Sequence, residues 1–318
     1  MRAGRALALL GAVGVGVAGV VAARRAAGRT ERETAELVGE LLHEADEAAG
    51  RRSGGPDASG ATGTTGGTGP GESSAVRDVA DDLAGLPDPI RRYLTHVLPD
   101  ERPTVRTVRL EQRGDFRLGD VDAPWLPFAA TEHVAVEPPG FVWDATIDVA
   151  PFVPVRVVDA FVAGEGVLRA RLLGAIPVAD AAPGPELNAG ELLRYLAEAV
   201  WYPTALVPGP GLDWEPIDDR SARATLSYRG TTVSCVFHVD EADEVTRVAA
   251  ERPRSTDDGY EPTPWTGNWR RYRERNGLLV PTEGEVAWNL PDGDLPYWRG
   301  QLTSIEHRTA GDRPLAPA

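Results

Sequence analysis

Apolar residues recur along this 318-residue chain with two different periods, and the period of two dominates from residue 107 onward. In 107–118 the odd positions are all polar: Thr107, Arg109, Glu111, Arg113, Asp115 and Arg117. The even positions include Val108, Leu110, Phe116 and Leu118. In 141–149 the apolar face is Phe141, Trp143, Ala145, Ile147 and Val149, opposite Asp144, Thr146 and Asp148. Alternate side chains of a strand point to opposite faces, so these segments are half-buried strands. The same alternation predicts strands near 131–137, 154–163, 165–173, 222–228, 231–239, 244–252, 268–275, 283–290 and 297–307, about ten in all. Turns such as Pro138-Pro139-Gly140 and Pro291-Asp292-Gly293 separate them. The gaps are too short for crossover helices, which makes the pairing antiparallel.

Two segments switch to the helical period. Asp88-Pro89 supplies the cap and first turn of a short helix through IRRYLTHVL. Leu187 to Tyr202 reads as one long helix. Asn188 and Glu191 have capping-box spacing, Pro203 ends the run, and Leu192, Leu193, Leu196 and Val200 form its apolar stripe. That stripe needs a sheet to lie on. The expected fold is therefore mainly β: a curved antiparallel sheet or half-barrel around one long helix. A closed barrel with the helix plugging one mouth is the alternative.

The N-terminus differs. Ala6 to Ala23 are 18 consecutive uncharged residues between Arg5 and Arg24. At about 1.5 Å per residue such a helix just crosses a hydrocarbon core of roughly 30 Å. Arg24 and Arg25 directly follow Ala22-Ala23, the one plausible cleavage site, so a retained anchor is expected in place of a cleaved signal. Within it, Ala12 and Gly16, and Gly14, Ala18 and Ala22, stand four apart and permit close helix pairing. Arg2, Arg5 and the amino terminus face Arg24, Arg25, Arg29 and Arg32 across the span, which favours a cytoplasmic C-terminal domain by a single charge. Next, Arg29 to Ala49 reads as a solvated juxtamembrane helix with a thin stripe of Leu37, Leu41 and Leu42. The expected organisation is an anchor (1–25), a juxtamembrane helix (26–49), a flexible Gly/Ser/Thr linker (50–74), a β-rich domain (75–310) and a short tail (311–318).

Composition narrows the chemistry. All 33 basic residues are arginine. With no lysine there is no phosphate-binding Gly-Lys-Ser/Thr loop and no Schiff base. Residues 1–74 carry eight arginines against nine acidic residues, so −14 of the net charge of −15 belongs to residues 75–318. A domain so negative repels nucleic acid. Its acid excess without lysine resembles the haloarchaeal, high-salt style of composition.

Motif chemistry is sparse. Cys235, the one cysteine, shares an apolar strand face with Val233, Phe237 and Val239, so it reads as a buried, inert thiol. The histidines at 43, 96, 133, 238 and 307 are scattered, and no metal site or cofactor is expected. Asp257-Asp258-Gly259 and Asp292-Gly293-Asp294 read as turns. On the long helix, Glu191, Arg194, Tyr195, Glu198 and Tyr202 recur at three- and four-residue steps opposite the leucines. By default this is a solvated face with helical ion pairs. If the sheet curls round the helix, the same face lines a cleft and its carboxylates could serve acid–base work or headgroup recognition. Of eight tryptophans, Trp143 and Trp288 fall on core faces, while Trp125, Trp201, Trp265 and Trp298 near element ends could rim an apolar pocket. WRRYRER, Trp269 to Arg275, would place Arg271, Arg273 and Arg275 on one face, paired with surrounding acids.

The runs LPDPIRRYL, PPGFVWDA, GELLRYLAEAVWYPTAL and EVAWNLPDGDLPYW, with their spacing, resemble a family of uncharacterised prokaryotic proteins known only as a domain of unknown function. The resemblance covers roughly residues 85–308 and implies an N-terminal membrane span but no catalytic residue. In architecture the chain is also similar to the lipoprotein-carrier half-barrels that shield acyl chains. Taken together, a membrane-anchored, non-catalytic domain binding an apolar or amphiphilic, lipid-like molecule is expected. The alternatives are a hydrolase-like enzyme using Glu191 and Glu198, and a structural or partner-binding envelope protein. Nothing in the sequence sets the oligomeric state.

Overall fold

Period-two alternation needs a partner on each side of every strand, and the chain satisfies this with one sheet. The computed structural model describes residues 3–53, 83–100 and 104–309, with side chains for all of these except 3–24, 52 and 53. Most of the expected linker and all of the tail lie outside those residues. Thirteen strands are present: β1 (Val105–Arg117), β2 (Trp125–Ala135), β3 (Gly140–Ala150), β4 (Val153–Val162), β5 (Glu165–Leu172), β6 (Ile176–Asp180), β7 (Leu212–Asp218), β8 (Ser221–Tyr228), β9 (Thr231–Val239), β10 (Val245–Thr256), β11 (Gly259–Arg275), β12 (Leu278–Leu290) and β13 (Gly293–Thr309). All pairings are antiparallel, in the order β6-β5-β4-β3-β2-β1-β13-β12-β11-β10-β9-β8-β7. The first six strands form one meander and the last seven another, joined where β13 returns to β1.

The connection from one sheet edge to the other, β6 to β7, contains the long helix. Pro185–Glu198 forms it, followed by 3-10 turns at Ala199–Trp201 and Pro203–Leu206. Below it is called α3, after α1 (Ala3–Ser53) and α2 (Asp88–Val97). A helix joining opposite edges must cross the concave face. It packs on β9 and β10 from one side and on β4 and β5 from the other. Beside it the hairpin tips meet, where Arg229 Nη1 donates to the carbonyl of Ala163 at 2.6 Å. The architecture is thus a curled half-barrel around one helix, and α2 adds Ile90, Tyr93, Leu94 and Val97 to the same core.

The curl is built into cross-strand neighbours. Gly114, Gly300 and Gly284 stand opposite one another on β1, β13 and β12, forming a furrow without side chains. The rings of Trp298 and Trp269 lie in it: a Cβ on Gly284 would sit 2.6 Å from Trp269. Trp201, arriving at the end of α3, packs edge-on against Trp269 at 4.9 Å and near Trp298 at 6.3 Å.

Several expectations need correction. The count of about ten strands omitted β6 and β7, the sheet's two edges, whose residues are mostly exposed and show no core face. Asn188 is not a cap. The helix starts one turn earlier, and Asn188 Oδ1 instead accepts from the backbone N–H of Gly166 at 2.8 Å, tying α3 to β5. Neither does Asp88 cap α2, which has Pro87 before it and no side-chain cap. At Arg271 (φ 59°) one ladder pair is missing and the alternation breaks without a shift of register, so Arg270 and Arg271 both reach Glu283 while Trp269 and Tyr272 turn inward. The segment expected to be a solvated juxtamembrane helix is not solvated. Val38, Leu41 and Ala45 pack on the outer face of β2–β4, against Ala135, Val142, Val158, Ala160 and Val162. The expected membrane span falls on residues whose side chains are not described; among the described residues no helix is long and apolar enough to cross a membrane.

Candidate functional site

The polar face of α3 does not meet solvent, because the curled sheet covers it. Arg194 projects to β2–β4 and holds three carboxyl groups: Asp159 at 2.6 Å, Glu198 at 2.9 Å and Glu132 at 3.8 Å. Its guanidinium also lies over the rings of Phe141 and Trp143, 4.8 and 5.0 Å from their centroids. One turn back, Glu191 is 3.6 Å from Arg252 of β10, which donates to the Gly190 carbonyl and to Tyr297 Oη. The network extends outward through Trp265 Nε1–H donating to Tyr297 Oη, Gln112 Nε2–H donating to Glu132, and Trp143 Nε1–H donating to Gln112. Glu132, Glu191 and Glu198 are buried.

Four carboxyl groups face two guanidinium groups, and the excess is carried as protons. Burial, with the nearby Glu198 and Asp159 carboxyls adding to it, pushes Glu132 and Glu191 well above the usual carboxylate range. The geometry points the same way. Glu132 Oε1, Glu198 Oε2, Asp159 Oδ1 and Glu191 Oε2 are buried without a donor among the described residues. A proton on Glu132 can be donated to Glu198, and one on Glu191 to Asp159. Two protons so placed reduce the excess of negative charge facing Arg194 and Arg252. Burial opposes the charge of Arg194, but Glu198 and Asp159 outweigh it and raise its pKa.

The remaining candidates spread over distinct roles. Tyr195 Oη donates to the Val136 carbonyl at 2.8 Å and Tyr202 Oη to that of Tyr195 at 2.7 Å, both inside the core. Trp201 and Trp298 line neither cavity described below: Trp298 lies in the glycine furrow and Trp201 packs against it, with Trp201 Nε1–H donating to the Pro281 carbonyl. Trp125 lies between two guanidinium groups, Arg117 at 4.3 Å and Arg299 at 4.4 Å. Trp265 is buried yet does line a cavity. Cys235 is buried, and burial pushes its thiol up to about 12. Among the described residues no His/Cys/Asp/Glu group could hold a metal ion. Sequence reasoning missed Gln112, Glu132, Asp159, Arg252 and Tyr297. A signal existed for Glu132, which occupies the inward period of its strand between Ala130 and Val134.

Two open cavities flank the cluster, and none of its four carboxyl groups or two arginines lines either. One, of about 700 Å³, lies between Ala27 and Glu31 of α1 and the outer face of β1–β4, and is lined by charged groups such as Glu111, Arg113, Asp144 and Arg156. The other, of about 730 Å³, opens where the sheet splits. β9 pairs with β10 only from Val236 to Val239, although both strands run on. Through this wedge Ala189 and Leu193 of α3 become the floor, and Val233, Ala250, Pro264 and Trp265 the walls. Arg223, Arg247, Ser234 and Thr232 stand among the polar lining groups.

Residues 84–307, well over half of the chain, match a family of unknown function, DUF6920. No curated protein matches. Among solved structures, a LolA superfamily protein from Nitrosomonas europaea is 12% identical, with a TM-score of 0.38 over 69% of this chain and 92% of its own. A beta-barrel-like protein of DUF1849 from Brucella abortus is 9% identical, with a TM-score of 0.26 over 65% of this chain and 99% of its own.

Proposed function

We propose, from the premise that this chain belongs to the DUF6920 family of unknown function, that it is a non-catalytic binding domain for an apolar or amphiphilic, lipid-like small molecule, tethered to a membrane through residues 6–23. The observation that carries this reading is the wedge between β9 and β10. Its volume, about 730 Å³, falls within the roughly 300–1,000 Å³ of small-molecule sites. Its floor is apolar and supplied by the helix, while Arg223 and Arg247 offer a cationic place for a headgroup. Arg247 makes no ion pair with a described residue, so its charge is available to an anionic group. The hydrolase alternative has less support, because Glu191 and Glu198 are used inside the closed cluster and line neither cavity. On the charge balance across the anchor, the domain belongs on the cytoplasmic side.

The test is native mass spectrometry and organic extraction of the full chain purified in mild detergent. A bound amphiphile is expected, and it is lost in Ala250→Trp or Leu193→Trp, which fill the wedge from a wall and from the floor. Protein that carries nothing, and binds no added fatty acid or phospholipid, overturns the reading.

A further inference from the structure

Of eight large apolar side chains that stand exposed among the described residues, five gather at three turns; the other three are Val178 on β6, Ile217 on β7 and Tyr260 on β11. The five are Leu118, Val121, Phe152, Leu173 and Ile176, and the turns are β1–β2, β3–β4 and β5–β6. Strand register puts these turns at one end of the sheet, since Arg117 faces Trp125, Ala150 faces Val153, and Leu172 faces both Val155 and Ile176. Phe152 is the extreme case. It is 99% exposed and holds a left-handed φ of 63° between Pro151 and Val153-Pro154. A bulky residue rarely adopts that conformation, and here no packing inside the protein repays it.

Helix α1 leaves the domain at the same end. Its contacts run from Glu44, paired with Arg229, through Leu41, near Gly140, to Glu33 with Arg169. They finish at Thr30 Oγ1, which donates to the Gly174 carbonyl at 3.1 Å, and at Ala27 beside Gly174. From there the helix continues to Ala3. Ala23, the last residue of the uncharged stretch, is four residues before Ala27, about 6 Å along the axis. A headgroup layer is about 5–7 Å deep on each side of the hydrocarbon core. Gly174 and its turn therefore fall at the depth of the headgroups.

The geometry points to a membrane-contacting rim: the β1–β2, β3–β4 and β5–β6 turns insert Phe152, Leu173 and Ile176 into the bilayer surface from which α1 emerges. This rests on the reading of residues 6–23 as an anchor. The occupant is lipid because the one helix leaving this end carries 18 uncharged residues directly beyond it. Contact is apolar, since a chain of net charge −15 gains nothing from anionic headgroups. Side chains of this kind settle at the boundary of headgroups and acyl chains.

The test uses the full chain reconstituted in phosphatidylcholine vesicles, with an environment-sensitive fluorophore on Phe152→Cys, Ile176→Cys or, as control, Glu165→Cys at the opposite end. Native Cys235 is buried and does not compete for label. At 152 and 176, emission shifts to the blue and is lost to nitroxide-bearing lipid, in low and high salt alike, while 165 stays water-like. Vesicle flotation is run in parallel. If the chain floats but 152 and 176 behave like 165, the rim is overturned and the anchor stands. If the chain does not float, the anchor reading fails and takes the rim with it.

Discussion

Arg194 of α3 donates from Nη1 to Asp159 Oδ2 of β4 at 2.6 Å, so the cation on the inward face of the helix is held by the sheet wrapped around it. The same guanidinium reaches Glu198 and Glu132. It thereby fixes the rotation of α3 against β2 and β4 more specifically than the leucines on its other side can.

Removing that cation leaves buried carboxyl groups facing one another. Arg194→Met is expected to cost about 3–5 kcal/mol, the usual penalty for breaking a buried ion pair from one side. Urea unfolding followed by tryptophan fluorescence measures it. Adding Asp159→Asn should recover part of the loss, because the orphaned charge goes with it. No recovery would mean that Arg194 acts through packing alone.

The cluster also gives stability a pH dependence of known sign. Glu132 and Glu191 keep their protons in the folded chain but lose them above the ordinary 4.5 once unfolded. The folded state then binds more protons, so stability falls as pH rises from about 4.5 through the folded pKa, by up to about 1.4 kcal/mol per pH unit for each group. His133 acts oppositely. Burial, with Arg109 adding to it, lowers its pKa from 6.5 to about 4, so its contribution is complete above 6.5 and is lost as pH falls towards 4, on the order of 3 kcal/mol. Above pH 6.5 the two glutamates act without opposition from His133, and the urea midpoint should decline. Glu132→Gln flattens that limb, and His133→Gln flattens the acid one.

The glycine furrow predicts intolerance where a sequence reader sees only small residues. A Cβ on Gly114 would overlap the Arg299 carbonyl, and one on Gly300 would overlap the Trp298 ring. Gly284→Ala and Gly300→Ala are expected to lose about 1–3 kcal/mol through overpacking. Gly114→Ala should lose more, because backbone cannot swing away as a ring can. Thermal unfolding orders the three, and equal losses would contradict the distinction.

The strands and the helix were legible because each buries one face, which leaves a period in the sequence. β6 and β7 were not: Ile176, Val178 and Ile217 are exposed on edge strands, so no alternation marks them. For the site, sequence reading found the constellation Glu191, Arg194 and Glu198 on α3, but not which way it faces. Helical spacing groups side chains on one face and cannot say whether the sheet covers it. Asp159 and Arg252 come from strands on opposite sides of the helix, and only the curl of the sheet brings them together.

Burial of Cys235 sets a chemical clock for opening of the β8–β9 region. With its thiol pushed up to about 12, reaction with a disulfide reagent at pH 8 is expected to be negligible in the folded chain and immediate in urea. Fast labelling without denaturant would show that the core beside Leu193 is open in solution.

Helix α1 clasps the outside of the sheet through few residues, so it should detach before the half-barrel unfolds. Leu41 is the central contact: it is fully buried, and its Cδ1 lies where a Cβ on Gly140 would need to be. Leu41→Asp places a charge against Val142, Val158 and Ala160, a burial that has no partner to offset it. Hydrogen exchange is the fitting measurement, because it resolves local from global opening. In Leu41→Asp, amides of residues 30–49 are expected to exchange faster, together with Ala135, while those of β11–β13 keep their protection. If exchange rises equally in β11–β13, α1 is part of the cooperative core and not a strap laid on it.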